Sequence, residues 1–200
     1  MRKLSVIAGI SYFIIFFAAI FANFFVLESI SKAPLVAIQE NDLMVRFGIM
    51  AFILTVVFDV VVAWALYELY KNHVLSSLST LFRMMHAAVM GVAIYALVLS
   101  LKSNNEADIL FQVSTFNTIW LIGLFFFGIH LILLSRILKK PKFIAWLLII
   151  AGIMYIVDTS AHFLLANYDS YSHIFLMLVA IPSIIGEMSF AVWLLRKKSF

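Results

Sequence analysis

The sequence predicts an all-α integral membrane protein, a bundle of six transmembrane helices with both termini in the cytoplasm. Six apolar runs each approach or exceed the roughly 20 residues that span a bilayer core, and lysine and arginine collect in alternate gaps between them. In addition, 65% of the residues are hydrophobic and the mean hydropathy is +1.11. A soluble domain of 200 residues could not bury that much apolar surface, so a bilayer must cover the excess.

The six runs predict the six helices in order. The first follows Arg2 and Lys3 as a signal peptide would, but it continues for 24 residues without a charge. A signal h-region has about 7–15 residues, so we expect a retained first helix. In sequence numbers, the runs cover 4–27, 44–70, 81–101, 111–137, 143–165 and 174–195.

The gaps between the runs are too short for a soluble domain, which predicts a single domain over residues 1–200. The longest gap, 28–43, contains Pro34, and we expect its centre, 33–38, to be a short re-entrant or amphipathic segment at the outer interface. In the sixth helix, Pro182 should interrupt and kink the backbone. Glycines should allow close helix approach: Gly48 on the second helix, and Gly91, Gly123 and Gly128 between the third and fourth.

The charges predict the orientation. Ten cations lie at the termini and in the second and fourth gaps, against Lys32 and Lys102 in the other gaps. By the positive-inside rule, both termini are therefore cytoplasmic. Because these cations lie at helix ends, they indicate contact with the lipid bilayer and no nucleic-acid partner. The ten are Arg2, Lys3, Lys71, Arg136, Lys139, Lys140, Lys142, Arg196, Lys197 and Lys198.

Ionisable residues within the helices are the candidate ligand-binding residues. Each costs ~2.5–3.5 kcal/mol at a helix centre, so it normally faces the bundle and has a partner. At ~1.5 Å rise per residue from the outer end, five of them lie ~20–28 Å deep on four helices. That level is the cytoplasmic third of a ~30 Å core. We call these five the inner cluster: Asp59, Arg83, His86, His130 and Glu187.

A second set, the outer group, lies nearer the outer surface and consists of Arg46, Asp158 and His162. Arg46 opens the second helix. Asp158 and His162 are four residues apart and share one face of the fifth helix, ~10 and ~5 Å deep. An ion pair between Arg46 and Asp158 is expected, and all three residues are further ligand-binding candidates.

Three interpretations of the inner cluster stay open. It could be structural, with Arg83 neutralising Asp59 or Glu187, or it could be a binding site or proton relay whose groups perturb one another. A metal held by the histidines and carboxylates is disfavoured because Arg83 at the same level would repel it. The chain has no cysteine and no HExxH or GxSxG motif, so we predict no catalytic residue, metal ligand or cofactor.

Short motifs and single residues spread along nearly the whole chain carry a resemblance to a known family. They are Arg2-Lys3-Leu4, Ile7-Ala8-Gly9-Ile10, Arg46-Phe47-Gly48, Asp59, Arg83, His130, Asp158, Gly186-Glu187 and Trp193. With these, the chain resembles a bacterial multi-pass family catalogued as domain of unknown function 4386. The resemblance implies a protein of the bacterial cytoplasmic membrane and implies no reaction. His86 and His162 have no match in it.

A short repeat also occurs: Ile7-Ala8-Gly9-Ile10-x-Tyr12 in the first helix recurs as Ile150-Ala151-Gly152-Ile153-x-Tyr155 in the fifth. In so apolar a sequence, a six-residue match is more often chance than duplication.

Three functions are compatible with these patterns. The first is binding or transport of a lipid or a small polar or anionic ligand through the inner cluster, which predicts a water-accessible cavity. The second is a structural, sensory or partner-binding subunit with a dry, fully paired core, as a homo-oligomer or with another membrane protein. The third is an intramembrane enzyme acting on lipid, with His130 or Glu187 as base and Arg83 as the oxyanion partner.

Overall fold

The computed structural model describes residues 1–139 and 141–197, and within them it is helical and has no strands. Six helices are long and apolar enough to cross a membrane, as the sequence predicts. Lys140 and Lys198, counted among the ten cations, lie outside the described residues. We number the helices as spans 1 to 6: Arg2–Lys32, Asp42–Tyr70, Ser76–Ser100, Glu106–Ile137, Lys142–Leu164 and Ser172–Arg196.

Span 1 is longer than predicted. Its α-helix Arg2–Ile20 continues as a π-helical stretch, Phe21–Leu27, and then as the α-helical Glu28–Lys32. Glu28 and Lys32 lie beyond the predicted apolar run, but the helix includes both. They form an ion pair at 2.6 Å on the exposed face, one turn apart, and such a pair stabilises a helix. The expected separate segment follows as a short helix, Pro34–Gln39, which packs on spans 2 and 4.

Span 4 begins at a capped terminus. The side chain of Asn105 accepts a hydrogen bond from the backbone nitrogen of Asp108 at 2.9 Å, satisfying one of the amides that the first turn leaves free. Glu106 and Asp108 lie in this first turn and Arg136 lies in the last, as the helix dipole favours. The helix therefore begins at Glu106, before the start of its apolar run at residue 111, and is 32 residues long.

The spans form a closed ring. Each packs against the next in sequence, and span 6 returns to pack against span 1. We call the end that holds both termini the terminal end and the other the far end. At the terminal end, Arg2 donates to the carbonyl oxygens of Leu194, Leu195 and Lys197, and Ser5 donates to that of Leu194. These bonds tie span 1 to span 6.

Two apolar cores lie above and below the level of the inner cluster. The terminal core contains residues of spans 1, 2, 4, 5 and 6, with Leu131, Leu148 and Phe190 fully buried. The far core, around Phe52 and Phe116, contains residues of spans 1 to 4 and the short helix only. Spans 5 and 6 thus take part in the core at the terminal end and not in the one at the far end.

Pro182 does not break span 6, which is helical from Ser172 to Arg196 with the proline inside it. Proline has no N–H to donate to the carbonyl one turn back, but the helix continues on both sides of it. The predicted interruption is therefore wrong, and the predicted kink stays a prediction.

The glycines only partly follow the prediction. A Cβ at Gly123 would meet His86, Met90 and Val89 of span 3, as expected, whereas one at Gly91 would meet nothing within 4 Å. Gly128 faces span 5 rather than span 3, because a Cβ there would lie 2.6 Å from the carbonyl oxygen of Gly152. Gly123 and Gly128 of span 4 thus allow close approach of two different helices, span 3 and span 5.

Candidate functional site

A buried ion pair forms the centre of the inner cluster. Nη2 of Arg83, on span 3, lies 2.5 Å from Oδ1 of Asp59, on span 2, and both side chains are at most 5% exposed. The sequence left both Asp59 and Glu187 as possible ion-pair partners of Arg83, and the structure pairs Arg83 with Asp59. Two opposite charges held this closely neutralise each other in the low-dielectric interior.

The remaining contacts of Arg83 reach spans 1 and 4. Its Nη1 donates to the Tyr12 hydroxyl at 2.8 Å and lies 3.3 Å from Nε2 of His130. The guanidinium carbon lies 4.9 Å from the centre of the Tyr12 ring and 5.2 Å from that of Phe127. Only its Nε lacks a hydrogen-bond partner within the described ranges. Arg83 thus joins the first four spans.

His130 has both ring nitrogens engaged. Its Nδ1 lies 2.9 Å from the backbone oxygen of Ser79, which can only accept, so Nδ1 carries a proton. Its Nε2 faces the Arg83 guanidinium, which can only donate, so Nε2 presents a lone pair. The contacts therefore define His130 as the neutral tautomer protonated on Nδ1, with no free lone pair.

His86 is only half satisfied. Its Nε2 lies 3.5 Å from Oδ2 of Asp59, and its ring packs 4.7 Å from that of Phe127. Its Nδ1 is buried and has no hydrogen-bond partner among the residues described. That nitrogen faces span 4, since a Cβ added at Gly123 would lie 3.3 Å from it.

Glu187 is the member of the inner cluster without a counter-ion. It forms no ion pair within 4 Å in the described part of the chain, whereas Asp59 has Arg83. It lies beside the Tyr155 hydroxyl, which also neighbours Ser183. A carboxyl group without a counter-ion in a membrane-spanning helix is a candidate functional residue.

A cavity of about 170 Å³ lies against the inner cluster. All six spans line it, including Tyr12, Thr55, Asp59, Tyr155 and Glu187. At ~10–15 Å³ per water in this measure, it holds several waters or a small organic group. Apolar side chains such as Ile15, Trp120 and Leu124 form the rest of the wall. We call the part of the lining formed by Asp59, Arg83, His86 and Glu187 the polar floor.

The outer group does not come together, and the predicted ion pair between Arg46 and Asp158 is wrong. Arg46 pairs instead with Asp42 at 2.9 Å on the exposed face of span 2. Asp158 accepts a hydrogen bond from the Tyr168 hydroxyl at 2.7 Å. The reason lies in the ring order, in which span 5 packs on spans 4 and 6 and not on span 2.

The Tyr168 contact joins span 5 to the loop before span 6. The His162 ring packs edge-on against Tyr168, with ring centres 4.7 Å apart, and its Nδ1 has no hydrogen-bond partner in the described ranges. Burial and the neighbouring Asp158 carboxylate raise the pKa of the Tyr168 hydroxyl above its usual range. Asp158 and His162 therefore belong to a separate tyrosine-centred contact.

Sequence reasoning missed Tyr12 and Tyr155, whose side chains line the cavity on opposite sides of span 6 in the ring. They are the last residues of the two copies of the short repeat. The alanines at the second position of the copies, Ala8 and Ala151, are both fully buried. The repeat was therefore the one sequence feature that singled out both tyrosines, although a match of six residues was too short to predict a role for them. No group of three or more potential metal ligands occurs in the described residues.

Comparison with known proteins identifies relatives but no reaction. A family model described as Domain of unknown function (DUF4386) matches residues 7–197. An "Uncharacterized protein" of Archaeoglobus fulgidus is 31% identical over 157 residues, which cover 76% of this chain and 83% of that protein. Because this relative is archaeal, the expected bacterial character of the family is not supported. No solved structure matches the chain.

Proposed function

The chain belongs to the family described as Domain of unknown function (DUF4386), whose description names no reaction, and we propose from its geometry that it binds and transports a small ligand through the intramembrane cavity. The observation that carries this proposal is the convergence of all six spans on one cavity with polar groups at its floor. Membrane transporters place their sites near the middle of the bilayer between such helices.

The residues of the inner cluster differ in how far other side chains occupy their polar groups, and this difference supports the proposal. Asp59, Arg83 and His130 use their charges and hydrogen-bonding groups on one another and on Tyr12 and Ser79. They hold the spans in place, which is the structural role left open by the sequence. Glu187 instead has no counter-ion within 4 Å among the described residues, and Nδ1 of His86, like Nε of Arg83, has no hydrogen-bond partner there. Buried polar groups without partners cost free energy, so their concentration around one cavity favours a binding site over a core built for stability alone.

The enzyme alternative has weaker support. His130, expected as a base, already accepts a hydrogen bond at Nε2 from Arg83, and Arg83 is neutralised by Asp59. His130 thus has no free lone pair to act as a base, and the charge of Arg83 is already compensated. Glu187 remains as a general base, but no nucleophile adjoins it in a triad-like contact among the described hydrogen bonds. Ligand binding uses the same residues without these additional requirements.

We place the terminal end at the cytoplasmic face of the cytoplasmic membrane. The excess of lysine and arginine at that end supports this orientation. Single cysteines can test it, because the chain has none of its own. In intact cells, a membrane-impermeant thiol reagent should label Ser103→Cys and leave Asn72→Cys unlabelled, and the opposite pattern would reverse the orientation.

The cavity itself can be tested in the purified protein with a small, water-soluble methanethiosulfonate. Ser183→Cys places a thiol at the cavity, and Ser135→Cys is a matched control, since both serines are buried and bond to a carbonyl of their own helix. We expect modification of Ser183→Cys and not of Ser135→Cys. Equal protection of both thiols would show a dry core and overturn the proposed function.

A further inference from the structure

Spans 1 and 6 border the side of the cavity that contains its most exposed lining residue, Ile184. At the terminal end these spans are tied together by Arg2 and Ser5. Toward the far end, span 6 contributes nothing to the far core, and Leu178, Ile181 and Ile184 are each about half exposed. Span 6 is therefore held at the terminal end and has a largely lipid-facing surface above it.

The exposure of the lining residues differs between the walls of the cavity. On the inner wall, Thr55 and Asp59 of span 2 and Met90 of span 3 are at most 4% exposed. On the wall formed by spans 1 and 6, Ala19 is partly exposed and Ile184 is 48% exposed. We call this side, between Ala19 and Ile184, the mouth.

The free groups at the floor define the headgroup. Arg83 and Asp59 cancel each other, and His130 is neutral by its contacts. Glu187, which has no counter-ion within 4 Å in the described ranges, is the one carboxyl of the floor that is not paired with a cation. A carboxyl group without a counter-ion suits a hydrogen-bond donor with positive charge and disfavours an anion.

We infer that the site takes a single-chain amphiphilic amine, which enters between spans 1 and 6 and places its ammonium group on Glu187. This inference rests on the proposed function, because it names the ligand class of the same cavity. The ammonium supplies the positive charge that Glu187 lacks and can also donate to the neighbouring hydroxyl of Tyr155. Its alkyl chain follows the apolar wall to the mouth and continues into the lipid.

Four probes separate the elements of this inference: dodecylamine, dodecanol and dodecanoate share a chain, and butylamine shares the headgroup alone. Binding to the protein in lipid nanodiscs is measured by the rise in melting temperature with probe concentration. We expect dodecylamine to bind most tightly. The isosteric Glu187→Gln variant should bind it about 10- to 100-fold more weakly, as for loss of a charged hydrogen bond. Ala19→Phe should block the mouth and abolish the rise.

The possible failures are distinguishable. If dodecanol or dodecanoate binds as tightly as dodecylamine and Ala19→Phe still blocks it, the amine headgroup is overturned and the cavity function stands. If butylamine binds as well as dodecylamine, entry from the lipid is overturned. If dodecylamine does not bind, or binds Glu187→Gln equally, the inference fails, and thiol modification at position 183 decides separately whether the cavity function fails with it.

Discussion

Gly128 of span 4 and Gly152 of span 5 lie so close that a Cβ on either would come within about 2.6 Å of the other's carbonyl oxygen. Since that oxygen is backbone, an added methyl group must push the two spans apart. Close glycine contacts of this kind are a principal source of helix association in membranes, where packing replaces the hydrophobic effect between helices. The pair therefore sets the distance between spans 4 and 5.

The first prediction concerns this contact. Gly128→Ala should lower the free energy of unfolding by about 1–3 kcal/mol, the usual cost of overpacking. The matched control is Gly91→Ala, where the new Cβ meets nothing within 4 Å. That change should be neutral or stabilising by up to about 1 kcal/mol, since alanine is the better helix former. Thermal unfolding in detergent measures both, and equal effects would contradict the close packing.

The second prediction concerns the buried ion pair. Arg83→Ala should destabilise the protein by about 3–5 kcal/mol, because it strands the Asp59 carboxylate in the core. The double variant Asp59→Leu/Arg83→Met should recover at least half of this loss, since no unpaired charge remains. A double variant as unstable as Arg83→Ala, measured by the same unfolding assay, would show that Arg83 acts mainly through its other contacts.

The third prediction concerns the protonation of His130. Nitrogen chemical shifts of the labelled imidazole should show a protonated Nδ1 and an unprotonated Nε2, as its contacts with Ser79 and Arg83 require. His86 is a useful internal comparison, because its contact with Asp59 requires the proton on Nε2 instead. Finding His130 protonated on Nε2 would contradict the described contact with the guanidinium.

The fourth prediction is a pH dependence at Tyr168. Its pKa is raised by burial and by Asp158, so the hydroxyl should ionise above the tyrosine range of about 10. The folded state binds this proton more tightly than the unfolded state does, so the associated stability is present below pH ~10 and is lost as pH rises through the folded pKa. Phenolate absorbance of the wild type minus that of Tyr168→Phe measures this ionisation.

Asp158→Asn provides the control, because it removes the charge and retains an oxygen that can accept the hydrogen bond. In that variant Tyr168 should ionise at lower pH than in the wild type. If the substitution leaves the ionisation unchanged, Asp158 is not the cause, and burial alone would have to account for the raised pKa.

Part of this site could be predicted from the sequence, because helix geometry fixes depth. Counting residues placed Asp59, Arg83 and His130 at one level, and the structure brings them into contact. The partners could not be predicted, because they depend on how each helix is rotated and on which helices are neighbours. Hence Arg46 and Asp158, both in the outer part of the bundle, were paired although their spans are not adjacent in the ring.

Tyr12 and Tyr155 also show that depth in the membrane does not by itself predict which residues form the site. A tyrosine in an apolar helix can face lipid, a core or a cavity, and depth does not distinguish these environments. Tyr12 becomes part of the site only because Arg83 reaches its hydroxyl from span 3. Predicting it required the side-chain contacts between spans.

The separate far core divides the bundle into two parts. Spans 1 to 4 share that core, and Tyr12, Asp59, Arg83 and His130 all belong to them. The ion pair of the inner cluster and its hydrogen-bonding partners therefore lie within these four spans. Glu187, the carboxyl without a counter-ion among the described residues, lies on span 6. The first four spans thus contain the compensated charges, and span 6 adds the uncompensated carboxyl to the lining of the cavity.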